Sequence, residues 1–136
     1  MELKSLLVDI KTTWAEFPGL NDFEVELANL SRKELVALRK RCTNNKFNDE
    51  KFVKEFTKAT VKNWRGLKLK YLEDLVLVDL KGQDGEAEME YTEANAHLLV
   101  ENSSEFDNWL NEVVFDLENF RTGGQDKTEG PTEAVS

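Results

Sequence analysis

Asp22–Glu34 reads DFEVELANLSRKE, and its periodicity changes half-way along. Phe23, Val25 and Leu27 alternate with Glu24, Glu26 and Ala28, the two-residue repeat of a strand with one buried face. Ser31 then opens a helix. Glu34 stands three residues after it, so hydroxyl and carboxylate each satisfy a backbone N–H that the first turn leaves free. A strand running straight into a capped helix makes the fold α+β. Just upstream, FPGLND (Phe17–Asp22) is a turn, since Pro18 fixes its own φ and Gly19 tolerates positive φ. The pattern predicts a small N-terminal β-hairpin, roughly residues 10–17 against 22–29. LLVDIKTTW (Leu6–Trp14), which leads into its first strand, suits a strand or a short helix.

Downstream the repeat is helical. Leu35, Leu38 and Cys42 share one face, while Arg39, Lys40 and Arg41 place positive charge where the helix dipole favours it. TNNKFN breaks this helix. A second is expected from the Asn48 cap, with Asp49 and Glu50 in its first turn, to about Trp64, and Gly66 as its stop. Its apolar face is Phe52, Val53, Phe56, Ala59, Thr60 and Trp64, and its opposite face is lysine. LKLKYLEDLVLVDL suits a short helix through Tyr71, Leu72, Leu75 and Val76, or a buried strand at LVLVDL. KGQDGEAEMEY reads as a solvated loop. Thr92 caps a short helix, and Ser103 or Ser104 caps the last one. In that last helix, EFDNWLNEVVFDLENF (Glu105–Phe120), Phe106, Trp109, Leu110, Val113, Leu117 and Phe120 fall on one face and Phe115 does not. The expectation is a mainly α, α+β chain: one small helical domain over residues 1–120, with the hairpin and four or five helices. Residues 121–136 carry glycines and almost nothing to bury, so a disordered acidic tail is expected there.

A chain of 136 residues favours one core over two. No apolar run approaches the roughly 20 residues needed to cross a bilayer, so no membrane partner is expected. The opening MELKSLLVDIK lacks a long apolar core and a small-residue cleavage site, so no signal peptide is expected. One cysteine cannot form an internal disulfide, which fits a reducing cytoplasm. The net charge of −9 is unevenly spread: −4 over residues 1–31, +9 over 32–70 and −14 over 71–136. A polyanion drawn to the middle is repelled by both flanks, so nucleic acid is not the expected partner.

Signals for chemistry are few. His97 stands beside Leu98 and Leu99 as a helix residue at a core margin, and Cys42 ends an apolar stripe as a small core residue. One Cys and one His exclude the usual zinc sets. Asp84, Glu86, Glu88 and Glu90 alternate, but the glycine placement is wrong for a calcium loop. RTGGQDKT lacks the strand and helix of a phosphate loop. An enzyme is therefore not expected, nor any cofactor or metal. What remains is surface. Lys51, Lys54, Lys58, Lys62 and Arg65 step by three or four into one basic stripe. Such a stripe is a solvated face, a phosphate-binding face, or the counterpart of the acidic third, in the same subunit or a neighbour. Phe52, Phe56 and Trp64 point away from it, against base stacking. Val114 and Phe115 form a candidate patch for a partner or for self-association. Otherwise Phe115 is an exposed or dimer-buried aromatic with no special role.

The order of LSRKEL opening a basic helix, VKNWRGL, EANAHLL and a final FDNWLNEV resembles the small tail assembly chaperones of long-tailed (siphovirus-like) bacteriophages and prophages, over about residues 14–120. The resemblance implies a non-enzymatic role. Such chaperones coat the helical tape measure protein before tail tube subunits polymerise around it. Its implied partners are the tape measure protein, the tail tube protein and further copies of the chain, in the host cell cytoplasm and not in the mature virion. Two other classes stay open. One is a small nucleic-acid-binding regulator using residues 51–62, and the other is a virion structural piece such as a head–tail connector.

Overall fold

The computed structural model describes residues 1–8 and 11–121. The tail expected to be disordered lies outside them except for Arg121. The N-terminal hairpin forms as its alternation predicts. Strand β1 (Thr12–Glu16) pairs antiparallel with β2 (Glu24–Ala28), from Thr12 opposite Ala28 to Glu16 opposite Glu24. Phe17 N–H donates to the Phe23 carbonyl to close the turn, in which Gly19 takes φ +88° and Asp22 +66°. Phe23, Val25 and Leu27 are fully buried, and Glu24 and Glu26 lie half-exposed on the other face. Among the described residues before β1, Leu3–Leu6 forms a 3₁₀ turn, and residues 1–8 are all exposed.

Helix α1 (Arg32–Arg41) begins with the reciprocal cap: Ser31 Oγ accepts from Glu34 N–H at 3.1 Å, and Ser31 N–H donates to Glu34 Oε1 at 2.8 Å. The break at TNNKFN is a miniature hairpin, β3 (Thr43–Asn44) against β4 (Lys46–Phe47), turning at Asn45 with φ +77°. Helix α2 then runs Asp49–Thr60, with Asn48 Oδ1 accepting from Lys51 N–H.

The expected extension of this helix to Trp64 is wrong. Val61–Arg65 is a third strand, β5, lying antiparallel on the far side of β2 in the order β1-β2-β5. The error has a physical cause. Val61 opposes Leu27 and Asn63 opposes Glu26, so Lys62 is the extra residue of a bulge. The bulge turns Val61 and Trp64 inward three positions apart, with Lys62 and Asn63 outward between them, which reproduces a helical step in a strand. Gly66 therefore ends a strand, not a helix.

LKLKYLEDLVLVDL resolves into helix α3 (Leu69–Leu75), and its LVLVDL end is no buried strand, because Leu77 and Val78 are exposed. The acidic loop after it folds back onto the start of α3. Ala87 and Gly85 carbonyls accept from Leu69 and Lys70 N–H, and Met89 N–H donates to the Leu67 carbonyl. The Lys70 and Lys68 ammonium groups both donate to Glu86, which holds its carboxyl down to about 2, below its ordinary value of 4.5. The folded value lies below the unfolded one, so this group's contribution to stability is present above about pH 4.5 and is lost as pH falls through about 2. An NMR pH titration should place the Glu86 carboxyl midpoint near 2; a midpoint near 4.5 would mean the lysines do not hold it in solution.

Helices α4 (Glu93–Asn102) and α5 (Ser104–Val114) carry their expected caps, with Thr92 Oγ1 accepting from Asn95 N–H and Ser103 Oγ from Phe106 N–H. α5 stops at Val114 instead of reaching Phe120. Asn29 Nδ2 donates to the Val114 carbonyl at 2.8 Å, Leu30 N–H to the same oxygen, and Asn119 Nδ2 to Val113, so the last carbonyls are met from outside the helix. A separate 3₁₀ turn, Leu117–Phe120, returns Phe120 to the core and leaves Leu117 exposed, against its expected place on the core face. The core closes around Phe17, Phe23, Phe106 and Trp109, with ring centroids 5.0–6.4 Å apart between hairpin and α5. Among the described residues this makes a small α+β fold of five α-helices and a three-stranded antiparallel sheet.

Candidate functional site

Helix α2 has two working faces because its repeat is helical throughout. Lys51, Lys54 and Lys58 share the solvent side and are exposed. None of them meets a carboxylate within ion-pair distance among the described residues. An exposed lysine row with no counter-ion keeps its full field for a partner. Among the described residues, no intramolecular pairing with the acidic third forms at these lysines.

The adjoining side of α2 is aromatic. Phe47 on β4, Phe52 and Phe56 on α2, and Phe115 at the end of α5 form a continuous ladder, with centroid spacings of 5.4, 5.7 and 6.1 Å. The Arg39 guanidinium lies 5.9 Å from the Phe47 centroid and 5.4 Å from that of Phe52, within cation–π range. Phe56 is buried, whereas Phe47 and Phe115 remain 37% and 41% exposed, so the two ends of the ladder are open to a partner. The fold thus brings Phe115 beside the lysine helix, although 56 and 115 lie far apart in sequence.

Three expected members of the site fall away or change place. Val114 is fully buried and its carbonyl is held by Asn29, so it offers no surface. Lys62 is exposed but belongs to β5, where its Nζ donates to the Lys58 carbonyl at 3.2 Å. Arg65, also on β5, is paired with Glu24 Oε1 at 2.6 Å and stacked 4.1 Å over the Trp14 ring, so it does not continue the free lysine row. Both are off the helix because α2 ends at Thr60 and the chain pairs with β2 from Val61 onward.

Cys42 is buried at the end of α1. His97 is half-buried on α4, with Nε2 enclosed and without a hydrogen-bond partner among the described residues. Among the described residues no group of three or more His, Cys, Asp and Glu is placed to hold a metal ion, and no helix is long and apolar enough to cross a membrane.

One surface was not foreseen. α3, the segment after it and α4 enclose an apolar cleft of about 470 Å³ whose wall includes Leu72, Leu77, Val78, Met89, Leu98 and Leu99. Leu77 is fully exposed, with Val78 and Leu98 open beside it. Its sequence signal was the apolar run Leu75–Val78, which outlasts the helix that precedes it.

The chain matches no family model, no curated protein and no solved structure.

Proposed function

We propose that this chain is a tail assembly chaperone, a non-enzymatic protein that binds and solubilises the tape measure protein and hands it to tail tube subunits. The observation that carries the reading is the α2 surface: a lysine row without counter-ions among the described residues, running beside an aromatic ladder open at Phe47 and Phe115. A long helical client exposes apolar stripes that aggregate unless covered. A cover needs apolar contact to hold the stripe, and charge to stay soluble and steer docking. Contacts limited to half-exposed rings and solvated lysines are weak enough to yield to incoming tube subunits.

Co-expression tests it. The soluble fraction of the tape measure protein should rise several-fold with this chain. With Lys51→Glu/Lys54→Glu/Lys58→Glu it should return to the level without it, while the helical circular dichroism of the variant matches wild type. A tape measure protein equally soluble with and without the chain would remove the proposal's main support. The free lysines also favour a second reading, a small nucleic-acid-binding regulator. Gel retardation at low salt separates the two: a shift that fades steeply with salt favours the regulator, and no shift leaves it without a case. Absence from purified particles distinguishes the chaperone from a connector.

A further inference from the structure

The Phe47 end of the aromatic ladder lies in concentrated positive charge. From Arg39 to Lys51 the chain carries five basic residues, Arg39, Lys40, Arg41, Lys46 and Lys51, against two acidic ones, Asp49 and Glu50. All seven are exposed, and none forms an ion pair among the described residues. Over both helices and the small hairpin, residues 32–58, the balance is nine basic to four acidic. The remaining two carboxylates are Glu34, which accepts from Ser31 N–H, and the half-buried Glu55. Asp49 and Glu50 stand in the first turn of α2, where they answer the positive end of its dipole. The hairpin brings the end of α1 to the start of α2, so Arg41, Lys46, Phe47 and Lys51 line one groove of about 520 Å³, with Asp49 as its carboxylate. The Arg39 guanidinium lies over Phe47 and Phe52, 5.9 and 5.4 Å from their centroids. A guanidinium laid on rings keeps its N–H edge for a carboxylate, which it can grip with two parallel bonds.

We propose that this corner docks acidic helical segments, an apolar residue seating against Phe47 while neighbouring carboxylates meet Arg39, Arg41 and Lys46. The inference rests on the proposed function in taking the client for the bound helix. It adds the class of sequence that the surface selects: apolar stripes flanked by Glu and Asp, in preference to stripes flanked by Lys. Nucleic acid is also anionic but fits the corner less well. Arg39 lies over the Phe47 ring and Phe52 tilts against it, so a base finds no free stacking platform. The chain's net charge of −9 also opposes a long polyanion more than a short segment that meets only the local field.

The probes are three peptides of about 18 residues, long enough to be helical, that share one leucine stripe flanked by glutamate, glutamine or lysine. Fluorescence anisotropy with the full chain at low salt should rank them in that order. The glutamate peptide should bind at least about tenfold tighter than the glutamine one, which several exposed charge pairs together supply. The net charge of the whole chain predicts the reverse order, so the ranking isolates the corner. Salt at about 0.5 M should erase the glutamate advantage. Arg41→Gln/Lys46→Gln should erase it too, with circular dichroism matching wild type, since both side chains are exposed. Arg39→Lys keeps the charge and loses the planar fork, so it should weaken the glutamate peptide several-fold and the glutamine peptide little. A lysine peptide that binds as tightly as the glutamate one, or an advantage that survives in Arg41→Gln/Lys46→Gln, would overturn the proposal. So would displacement of the glutamate peptide by an equal concentration of single-stranded oligonucleotide, which would assign the corner to nucleic acid. A client solubilised by the chain while the peptides rank otherwise would overturn this selectivity and leave the proposed function standing. Peptides that rank as expected, beside a client no more soluble with the chain, would overturn the proposed function and leave the selectivity standing.

Discussion

Gly66→Ala is expected to destabilise the chain by about 3 kcal/mol or more, far beyond the usual cost of a glycine-to-alanine change. Gly66 sits at φ +76°, and a Cβ built there would lie 2.0 Å from the Asp22 carbonyl oxygen and 2.8 Å from its carbon. The left-handed conformation alone costs an alanine roughly 1–2 kcal/mol. The overlap is the larger problem, because the obstacle is backbone and not the end of a flexible side chain. Asp22 cannot withdraw easily: the Phe17–Phe23 hydrogen bond closes the turn around it, and Tyr71 Oη donates to the neighbouring Asn21 carbonyl at 2.9 Å. Either the hairpin turn moves or the end of β5 detaches at the Glu24–Arg65 pair. Gly19→Ala is the control. Gly19 has φ +88° but open space where a Cβ would go, so only the conformational strain remains, about 1 kcal/mol. Urea unfolding measures both. Midpoints that fall equally for the two variants would show that the turn yields freely and that the contact has no weight.

This glycine also marks where sequence pattern stops being informative. The alternation of Phe23, Val25 and Leu27, the reciprocal Ser31–Glu34 cap and the caps at Asn48, Thr92 and Ser103 are local signals, each satisfied within a few residues, and all appear in the structure. What the pattern misassigned depends on distant partners. Val61 and Trp64 have helical spacing, and only pairing with β2 through a bulge makes them strand residues. Gly66 follows a lysine-rich segment as a helix stop would, yet it is needed for its approach to Asp22, 44 residues away. α5 ends early because Asn29, 85 residues upstream, donates to its last turn.

The candidate surface divides in the same way. Lys51, Lys54 and Lys58 were legible because a solvated helix face follows from periodicity alone. The stacking of Phe115 on Phe56 was not, since nothing in either local pattern names the other. Nor was the α3–α4 cleft. Its rim comes from a segment after one helix and from another helix some twenty residues further on, and only the fold sets them face to face.

Val114 and Phe115 give the sharpest contrast, because adjacent residues should respond in opposite ways. Val114→Asp puts a carboxylate at a fully buried position whose backbone carbonyl already receives Asn29 and Leu30. No Lys or Arg is found among the core residues to pair with it. An unpaired buried charge costs several kcal/mol, and the loss here should exceed about 4 kcal/mol, a large share of the stability of a domain this size. The variant should lose its cooperative thermal transition or be recovered only as insoluble protein. Phe115→Ser removes a ring that is 41% exposed and 6.1 Å from Phe56, so about 1 kcal/mol is expected, with circular dichroism close to wild type. If the proposed function holds, its effect should appear instead in association, as weaker solubilisation of the tape measure protein and weaker self-association. A cooperative, wild-type-like melt for Val114→Asp would mean the end of α5 is open in solution. Loss of fold in Phe115→Ser would make the ladder a structural strut, and the partner surface would then have to be sought on the lysine row alone.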